Sequence, residues 1–368
     1  MRAALLEAPG TPLRVCDDVE IAPPRAGQVR VRIAHCGVCH SDLSVVDGVF
    51  PAPLPIVLGH EAAGIVDAVG DGVDHLVPGD PVVLTPAPPC GRCYWCVRGE
   101  AALCAEASGI VTNTFLDGST GLSRGGTKLY RGINVAAFSE LVVCSAAAAV
   151  KVAPDVPLEV ACVIGCAVQT GVGAVLNTAR VVEGATVLVM GLGGIGLSAV
   201  QGARIAGAAR IFVSDPLEAR RKAAESFGAT DLLDPNVADV AAQVREATGG
   251  IGADYAFETA GRASLVGVGL AATRNGGTVV AVGAPPISEK IEIAPAALFT
   301  VSEKKLLGCI LGSSHSLYEI PRLVALWRAG RLDLEGLITA RRPLGEINDA
   351  MADLRAGRGI RTVLSMAR

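Results

Sequence analysis

The chain has 368 residues, a formal net charge of -4, 51% hydrophobic residues, 4% aromatics and 44 glycines. It is too long for one typical core of about 150 residues, so roughly two domains are expected, and the composition suits tightly turned α/β layers packed with Val, Ala, Leu and Ile. No Lys/Arg cluster offers a footprint for nucleic acid or an anionic membrane, and Gly, Pro or charge interrupts every apolar run, which excludes a spanning helix and leaves small molecules as the expected partners.

The opening "MRAALLEAPG" lacks the charged start, apolar run and small-residue cleavage site of a secretory signal, so a reduced cytoplasmic setting is expected. Up to residue 167 the sequence reads as short strands: "QVRVRIAHCGV", "EAAGIVDAVG" and "DPVVLTP" alternate or run apolar between Gly, Pro and Asp. Within this β-rich segment, "PPCGRCYWCVRGEAALC" gathers four cysteines over residues 88–104 and carries little else. From 168 to 310 the pattern becomes strand, glycine turn, helix, strand: "ATVLVMG", "GGIGLSAVQGARIAGA", "RIFVSD", "PLEARRKAAESFG". It continues through "ADYAFETAG", "GGTVVAVGAPP" and "KKLLGCILG", the repeated βα units of a parallel sheet. Residues 311–368 hold the helical stretches "SLYEIPRLVALWRAG" and "LGEINDAMADLRAG".

The first candidate site lies between a buried strand and a helix. "VLVMGLGGIG" sets Gly191, Gly193 and Gly196 in a G-x-G-x-x-G turn around Gly194 and Ile195. Glycine there bends the chain sharply, admits a pyrophosphate to the backbone and packs helix on strand. Asp215, nineteen residues after Gly196 at the end of "RIFVSD", can accept hydrogen bonds from ribose hydroxyls and repel a 2′-phosphate, which favours NAD over NADP. Arg220 and Arg221 point the other way, since either could meet a 2′-phosphate.

The second is the four-cysteine stretch. Thiols three residues apart on a short loop would close strained rings as disulfides. Cys90, Cys93, Cys96 and Cys104, spaced C-x2-C-x2-C-x7-C, can instead wrap four thiolates around one tetrahedral Zn²⁺, a closed structural site. Four-cysteine ribbons that bind nucleic acid share such a set, but this chain has no basic face. A third set is scattered: Cys39 in "CGVCHSD", His60 in "LGHE" and Cys166 in "IGCAVQTG". Two thiolates and one imidazole suit a catalytic zinc whose fourth position stays open. Core packing is the alternative for any single one, because Cys16, Cys36, Cys144, Cys162 and Cys309 also sit among apolar neighbours.

Together these stretches, "GVCHSD", "GHE", "CGRCYWC", "IGC…TG" and "GLGGIG" in this order, resemble the zinc-containing alcohol dehydrogenases of the medium-chain dehydrogenase/reductase family, over essentially the whole chain. The resemblance implies an α/β fold: a GroES-like β-rich catalytic domain (1–167, with the lobe 88–104), a Rossmann doubly wound parallel-sheet coenzyme domain (168–310), and a return to the catalytic domain (311–368). It implies two zinc ions per chain, catalytic on Cys39, His60 and Cys166 and structural on Cys90, Cys93, Cys96 and Cys104, with NAD as coenzyme. Asp42 is implied to fix the tautomer of His60, Glu61 to stand behind the metal, and Ser41 to take the proton of the alcohol. His40 and Arg361 are implied to contact the coenzyme diphosphate, Thr170 and Val282 the nicotinamide side, and Arg220 the adenosine ribose beside Asp215.

Departures from the family pattern shape the substrate expectation. Many members end the proton relay with histidine where this chain has Ser44, and a serine passes a proton but holds none at neutral pH, which leaves His40 or solvent as outlet. Pro86, Gly109 and Gly132 stand where bulky side chains are common, and with Phe50 and Ile133 as apolar wall a wide pocket is expected. That favours bulky, long-chain or aromatic primary alcohols, oxidised to aldehydes and the reverse. Thiol-adduct-dependent formaldehyde oxidation is the alternative function, with Ser108 near the place where glutathione-dependent members carry an arginine. A non-catalytic structural protein on the same fold is the non-enzymatic alternative, which loss of a metal ligand or fingerprint glycine would favour; none is lost. The segment "VTNTFLDGSTGLSRGGTKLYRG" resembles the longer loop of dimeric members, so a homodimer joined near "FTVSEKKLLGCILG" is expected.

Overall fold

The alternation in "QVRVRIAHCG" becomes a long strand, β1 (Gln28–Gly37), in this computed structural model, which describes every residue except Ala294 and Arg368. Val29, Val31 and Ile33 turn inward and are buried, as the period of two requires. Arg30 and Arg32 turn outward to Asp67 of the neighbouring strand β2 (Glu61–Val69), at 2.6 and 2.7 Å. Between these strands lies a short helix, α1 (His40–Val46). β2 pairs antiparallel with β1 and with β3 (Pro81–Leu84); farther on, β4 (Leu141–Ser145) adds to β1 and β5 (Ala149–Lys151) to β3.

The chain divides into two compact units, Met1–Ala167 with Ser314–Arg368, and Val168–Ser313. In the second, β6 (Thr186–Met190) leads into α2 (Gly194–Ile205), followed by β7 (Arg210–Ser214), β8 (Asp231–Leu233), β9 (Ala253–Glu258) and β10 (Thr273–Ala281). A short helix, α3 (Ala296–Val301), precedes β11 (Lys305–Gly308). The strands lie in the order β8-β7-β6-β9-β10-β11, all parallel. β6 is central and buried along Val187–Met190, as a strand covered on both faces must be. The order reverses between β6 and β9, and ligands of such sheets bind at the strand carboxyl ends beside that reversal. The segment expected to join two chains, 299–312, runs from within α3 to just beyond the edge strand β11, with Val301 and Ile310 exposed.

Back in the first unit, β12 (Ile338–Pro343) and β13 (Arg361–Ser365) complete its sheet in the order β5-β3-β2-β1-β13-β12. β13 pairs with β1 through Val363 and Gly37, so β13 starts beside the end of β1. Phe138, Leu58, Leu84, Ile347 and Leu364 close this core, each full burial worth about 1.5–3 kcal/mol. Among the described residues no single helix is long and apolar enough to cross a membrane.

Candidate functional site

The first unit brings Cys39, His60 and Cys166 together, with all their ligand atoms within 4.8 Å of one another and all three residues buried. One carboxylate arranges the first two. Asp42, third residue of α1 and wholly buried, accepts from the Cys39 N–H through Oδ2 (3.1 Å) and from the Gly59 N–H through Oδ1 (3.0 Å), and Oδ1 lies 3.1 Å from His60 Nδ1. A proton held on Nδ1 leaves Nε2 as the free donor atom of the ring. Cys166 is placed by the turn before it: Gly165 lies so close to β3 that a Cβ would stand 2.3 Å from the Leu84 carbonyl oxygen. The hydrogen bond from Cys166 and the nearby His60 hold the Cys39 thiol well below its usual range against burial. Two sulfurs and one imidazole, with no fourth donor in the cluster among the described residues, fit a zinc that keeps one position open.

Glu61 opens β2 directly after His60 and is fully buried. Its Oε1 accepts from the Ala167 N–H (3.1 Å), and its Oε2 lies 3.4 Å from Arg361 Nε. Burial pushes Glu61 up to about 7, and the Arg361 charge pulls the other way. Sequence reading missed Gly37, where a Cβ would stand 2.4 Å from Glu61 Oε2; its signal is a glycine closing the strand that precedes the first ligand. Arg361, expected at the coenzyme diphosphate, is 5% exposed, donates from Nη1 to the Val38 carbonyl (2.7 Å) and faces Glu61 through Nε. Ser41 Oγ lies 3.9 Å from Cys39 Sγ, Ser44 is buried on α1, and His40 is exposed at its start.

In the lobe, the four ligand atoms of Cys90, Cys93, Cys96 and Cys104 also lie within 4.8 Å of one another. Tetrahedral zinc with Zn–S bonds of about 2.3 Å needs sulfurs about 3.8 Å apart, and Cys93 Sγ stands 3.9 Å from Cys104 Sγ. Hydrogen bonds from the backbone at Ala105 and Cys96 hold the Cys93 thiol below its usual range, toward the thiolate form that ligates metal. The donor set fits the closed zinc site expected.

The second unit carries the glycine turn at the carboxyl end of β6. Gly191 has φ 92, a left-handed value that glycine adopts without strain. At Gly196 a Cβ would stand 1.8 Å from the Gly191 carbonyl oxygen, whereas at Gly193, which caps α2, it would meet nothing within 4 Å. A turn closed below and open above suits an incoming diphosphate on a helix N-terminus. Gly194 is buried and Ile195 half-buried within it. Asp215 accepts from the Leu192 N–H (Oδ2, 2.8 Å) and the Leu217 N–H (Oδ1, 2.9 Å), with Arg220 Nη1 at 3.9 Å. Arg221 is engaged with the Asp215 carbonyl (2.6 Å) and the Asp234 carboxylate (2.7 Å), which gives it structural partners in place of a 2′-phosphate. Thr170 and Val282 are both buried. Sequence reading also missed Glu258 at the end of β9, 1% exposed. Its Oε1 accepts from the Ala260 and Arg262 N–H groups (2.8 and 3.2 Å) and its carbonyl from the Val282 N–H (2.8 Å). A charged residue ending the apolar run "ADYAFE" was the available signal.

Gly109 and Gly132, expected to widen a pocket, both sit against close neighbours. A Cβ on Gly109 would stand 2.1 Å from Asn134 Oδ1, and one on Gly132 2.6 Å from the Val57 carbonyl oxygen and 2.7 Å from Leu58 Cδ2. The space is filled by neighbours, so these glycines permit close packing. Pro86 is buried with its carbonyl bonded to Asn134 Nδ2 (2.9 Å), Phe50 is half-buried against the core, and Ile133 is 8% exposed.

Residues 25–155 match the alcohol dehydrogenase GroES-like domain family and residues 194–326 the zinc-binding dehydrogenase family. Among solved structures, the chain is similar to an alcohol dehydrogenase zinc-binding domain protein from Burkholderia ambifaria, at 36% identity and a TM-score of 0.94 over 100% of this chain and 99% of that one. It is similar to benzyl alcohol dehydrogenase from Acinetobacter calcoaceticus at 31% identity and a TM-score of 0.94, over 100% and 99% of the two chains. An NAD-dependent alcohol dehydrogenase matches at 30% identity and a TM-score of 0.81, over 100% of both chains.

Proposed function

This chain belongs to the zinc-dependent alcohol dehydrogenases of the medium-chain dehydrogenase/reductase family, and from that premise we propose that it oxidises bulky, long-chain or aromatic primary alcohols to aldehydes with NAD⁺ as hydride acceptor, and catalyses the reverse. The observation that carries the reading is the buried Cys39–His60–Cys166 cluster with Asp42 behind it. The substrate preference is supported by the likeness to benzyl alcohol dehydrogenase.

When bound, zinc supplies Lewis-acid polarisation of the alcohol oxygen, and NAD⁺ takes up the hydride from the carbon. The work of this chain is to place and deprotonate. Cys39, His60 and Cys166 hold the catalytic metal, and Cys90, Cys93, Cys96 and Cys104 hold a second, structural one. Asp42 keeps the Nδ1 proton of His60 in place, so the ring presents Nε2. Ser41 relays the hydroxyl proton of the alcohol, accepting it as it releases its own to the exposed His40 or to solvent, because a serine such as Ser44 cannot retain an extra proton at neutral pH. The Gly191–Gly196 turn seats the coenzyme diphosphate and Asp215 the adenosine ribose, beside Arg220; Thr170 and Val282 border the nicotinamide.

The experiment that tests this is NAD⁺ reduction by the zinc-loaded protein on ethanol, octanol and benzyl alcohol, with formaldehyde plus small thiols in the same panel. Higher kcat/KM on octanol and benzyl alcohol than on ethanol is expected. Better efficiency on ethanol would overturn the substrate preference, and turnover confined to the formaldehyde–thiol adduct would replace the function.

Coenzyme choice has its own check. Asp215→Ser removes the carboxylate that repels a 2′-phosphate, while a hydroxyl can still accept from the Leu192 N–H. The ratio of kcat/KM for NADP⁺ to that for NAD⁺ is expected to rise about tenfold or more, equivalent to about 1.4 kcal/mol. An unchanged ratio would remove Asp215 from the discrimination.

A further inference from the structure

Between Arg131 and Ala136 the backbone takes a path its residues do not favour. Ile133 has φ 50 and ψ 43, Asn134 φ 64 and Ala136 φ 69, left-handed angles that disfavour L-residues and a β-branched side chain most of all. Such a run persists only where its surroundings over-determine it.

Those surroundings are polar and converge on one spot. Arg131, 2% exposed, donates from Nη2 to the carbonyls of Asn134 (2.7 Å) and Val143 (3.3 Å) and from Nη1 to Asn134 Oδ1 (3.2 Å). Its guanidinium lies 3.7 Å from the Phe115 ring centroid. Asn134 Nδ2 donates to the carbonyls of Pro86 (2.9 Å) and Glu106 (3.0 Å), and Asn113 Oδ1 accepts from the Ile133 N–H (3.0 Å). Gly109 leaves room for the Asn134 amide, and Gly132 lets the turn press on Val57 and Leu58. The two glycines first read as pocket space are the seats of this clamp.

Carbonyls and an aromatic face answer the Arg131 charge, with no carboxylate among these contacts. Burial draws its pKa down to about 10, which still leaves a cation at neutral pH.

We propose that Arg131, with Asn134 and Asn113, is a positioning residue for substrate selection: the clamp holds Ile133 in its left-handed conformation and so sets the wall that sorts alcohols by size. The inference rests on the reading that Ile133 lines the substrate pocket. Three variants separate the two: Ile133→Ala removes the wall, Asn134→Gly keeps a left-handed backbone but loses the amide bonds, and Arg131→Lys keeps a charge but loses the fork. Each is assayed for kcat and KM on ethanol, octanol and benzyl alcohol at saturating NAD⁺, with zinc content measured in parallel. Ile133→Ala is expected to change the ratio of kcat/KM between benzyl alcohol and ethanol by about tenfold or more. Asn134→Gly and Arg131→Lys are expected to reproduce that change, in KM more than in kcat, with zinc content intact. If Ile133→Ala shifts the ratio and neither clamp variant does, the clamp serves folding alone and the proposal is overturned. If Ile133→Ala leaves the ratio unchanged, the pocket reading itself fails, and the inference with it. Asn113→Ala, which removes a single acceptor, replaces Arg131→Lys should that variant not fold, under the same criterion.

Discussion

Cys39→Ala is expected to lower alcohol turnover by at least about 10³-fold and to reduce zinc from two ions per chain to one. Metal polarisation of the substrate oxygen is worth several kcal/mol, and each 1.36 kcal/mol is about tenfold in rate. Two remaining ligands, His60 and Cys166, are too few for a site that needs three protein donors. The fold around the site should survive, because Asp42 still accepts from the backbone N–H groups of residue 39 and Gly59. Initial rates, zinc analysis by mass spectrometry and circular dichroism on one preparation make the check. Turnover near the wild-type rate would overturn the assignment of Cys39, and with it the catalytic role of the cluster.

The second large effect concerns stability. The lobe has almost no core of its own: its one-turn helix, Tyr94–Val97, buries none of its residues, and Tyr94 and Val97 are 64% and 69% exposed. Metal binding must therefore supply most of the energy that orders it, as in small domains that fold only with zinc. Cys104→Ala, at the 2% exposed ligand, is expected to cost the lobe its zinc, lower the melting temperature by about 5 °C or more, and open Arg92 and Arg98 to trypsin. The catalytic zinc should remain. Retention of two zinc ions per chain with an unchanged cleavage pattern would show that the cysteines do not hold a structural metal.

What was legible in the sequence depended on distance along the chain. The lobe cysteines and the Gly191–Gly196 turn are local, so spacing alone limits their geometry, and alternation along Gln28–Gly37 marks a strand whose one face is buried. The ligands Cys39, His60 and Cys166 come from the start of α1, the loop before β2 and the turn against β3, and their meeting depends on how those elements pack. For Asp42 the resemblance implied the bond to His60; only in three dimensions does its carboxylate also gather the backbone N–H groups of residue 39 and Gly59. Gly37 and Glu258 were missed for the same reason, because their partners, Glu61 and the Val282 backbone, lie far away in sequence.

Gly109 and Gly132 mark the boundary most clearly. A sequence shows which side chain is absent at a position, but close packing decides what occupies the space. Here Asn134, Val57 and Leu58 occupy it, and the turn they brace carries Ile133. Sequence by itself determined the family, the fold class, the donor atoms suited to zinc and the glycine turn suited to a dinucleotide, because each depends on residue type at short spacing or on periodicity. Tertiary structure alone decided which buried charges face each other, Glu61 with Arg361 and Arg131 with carbonyls, since burial makes pairing obligatory but leaves the choice of partner to the packing of distant strands.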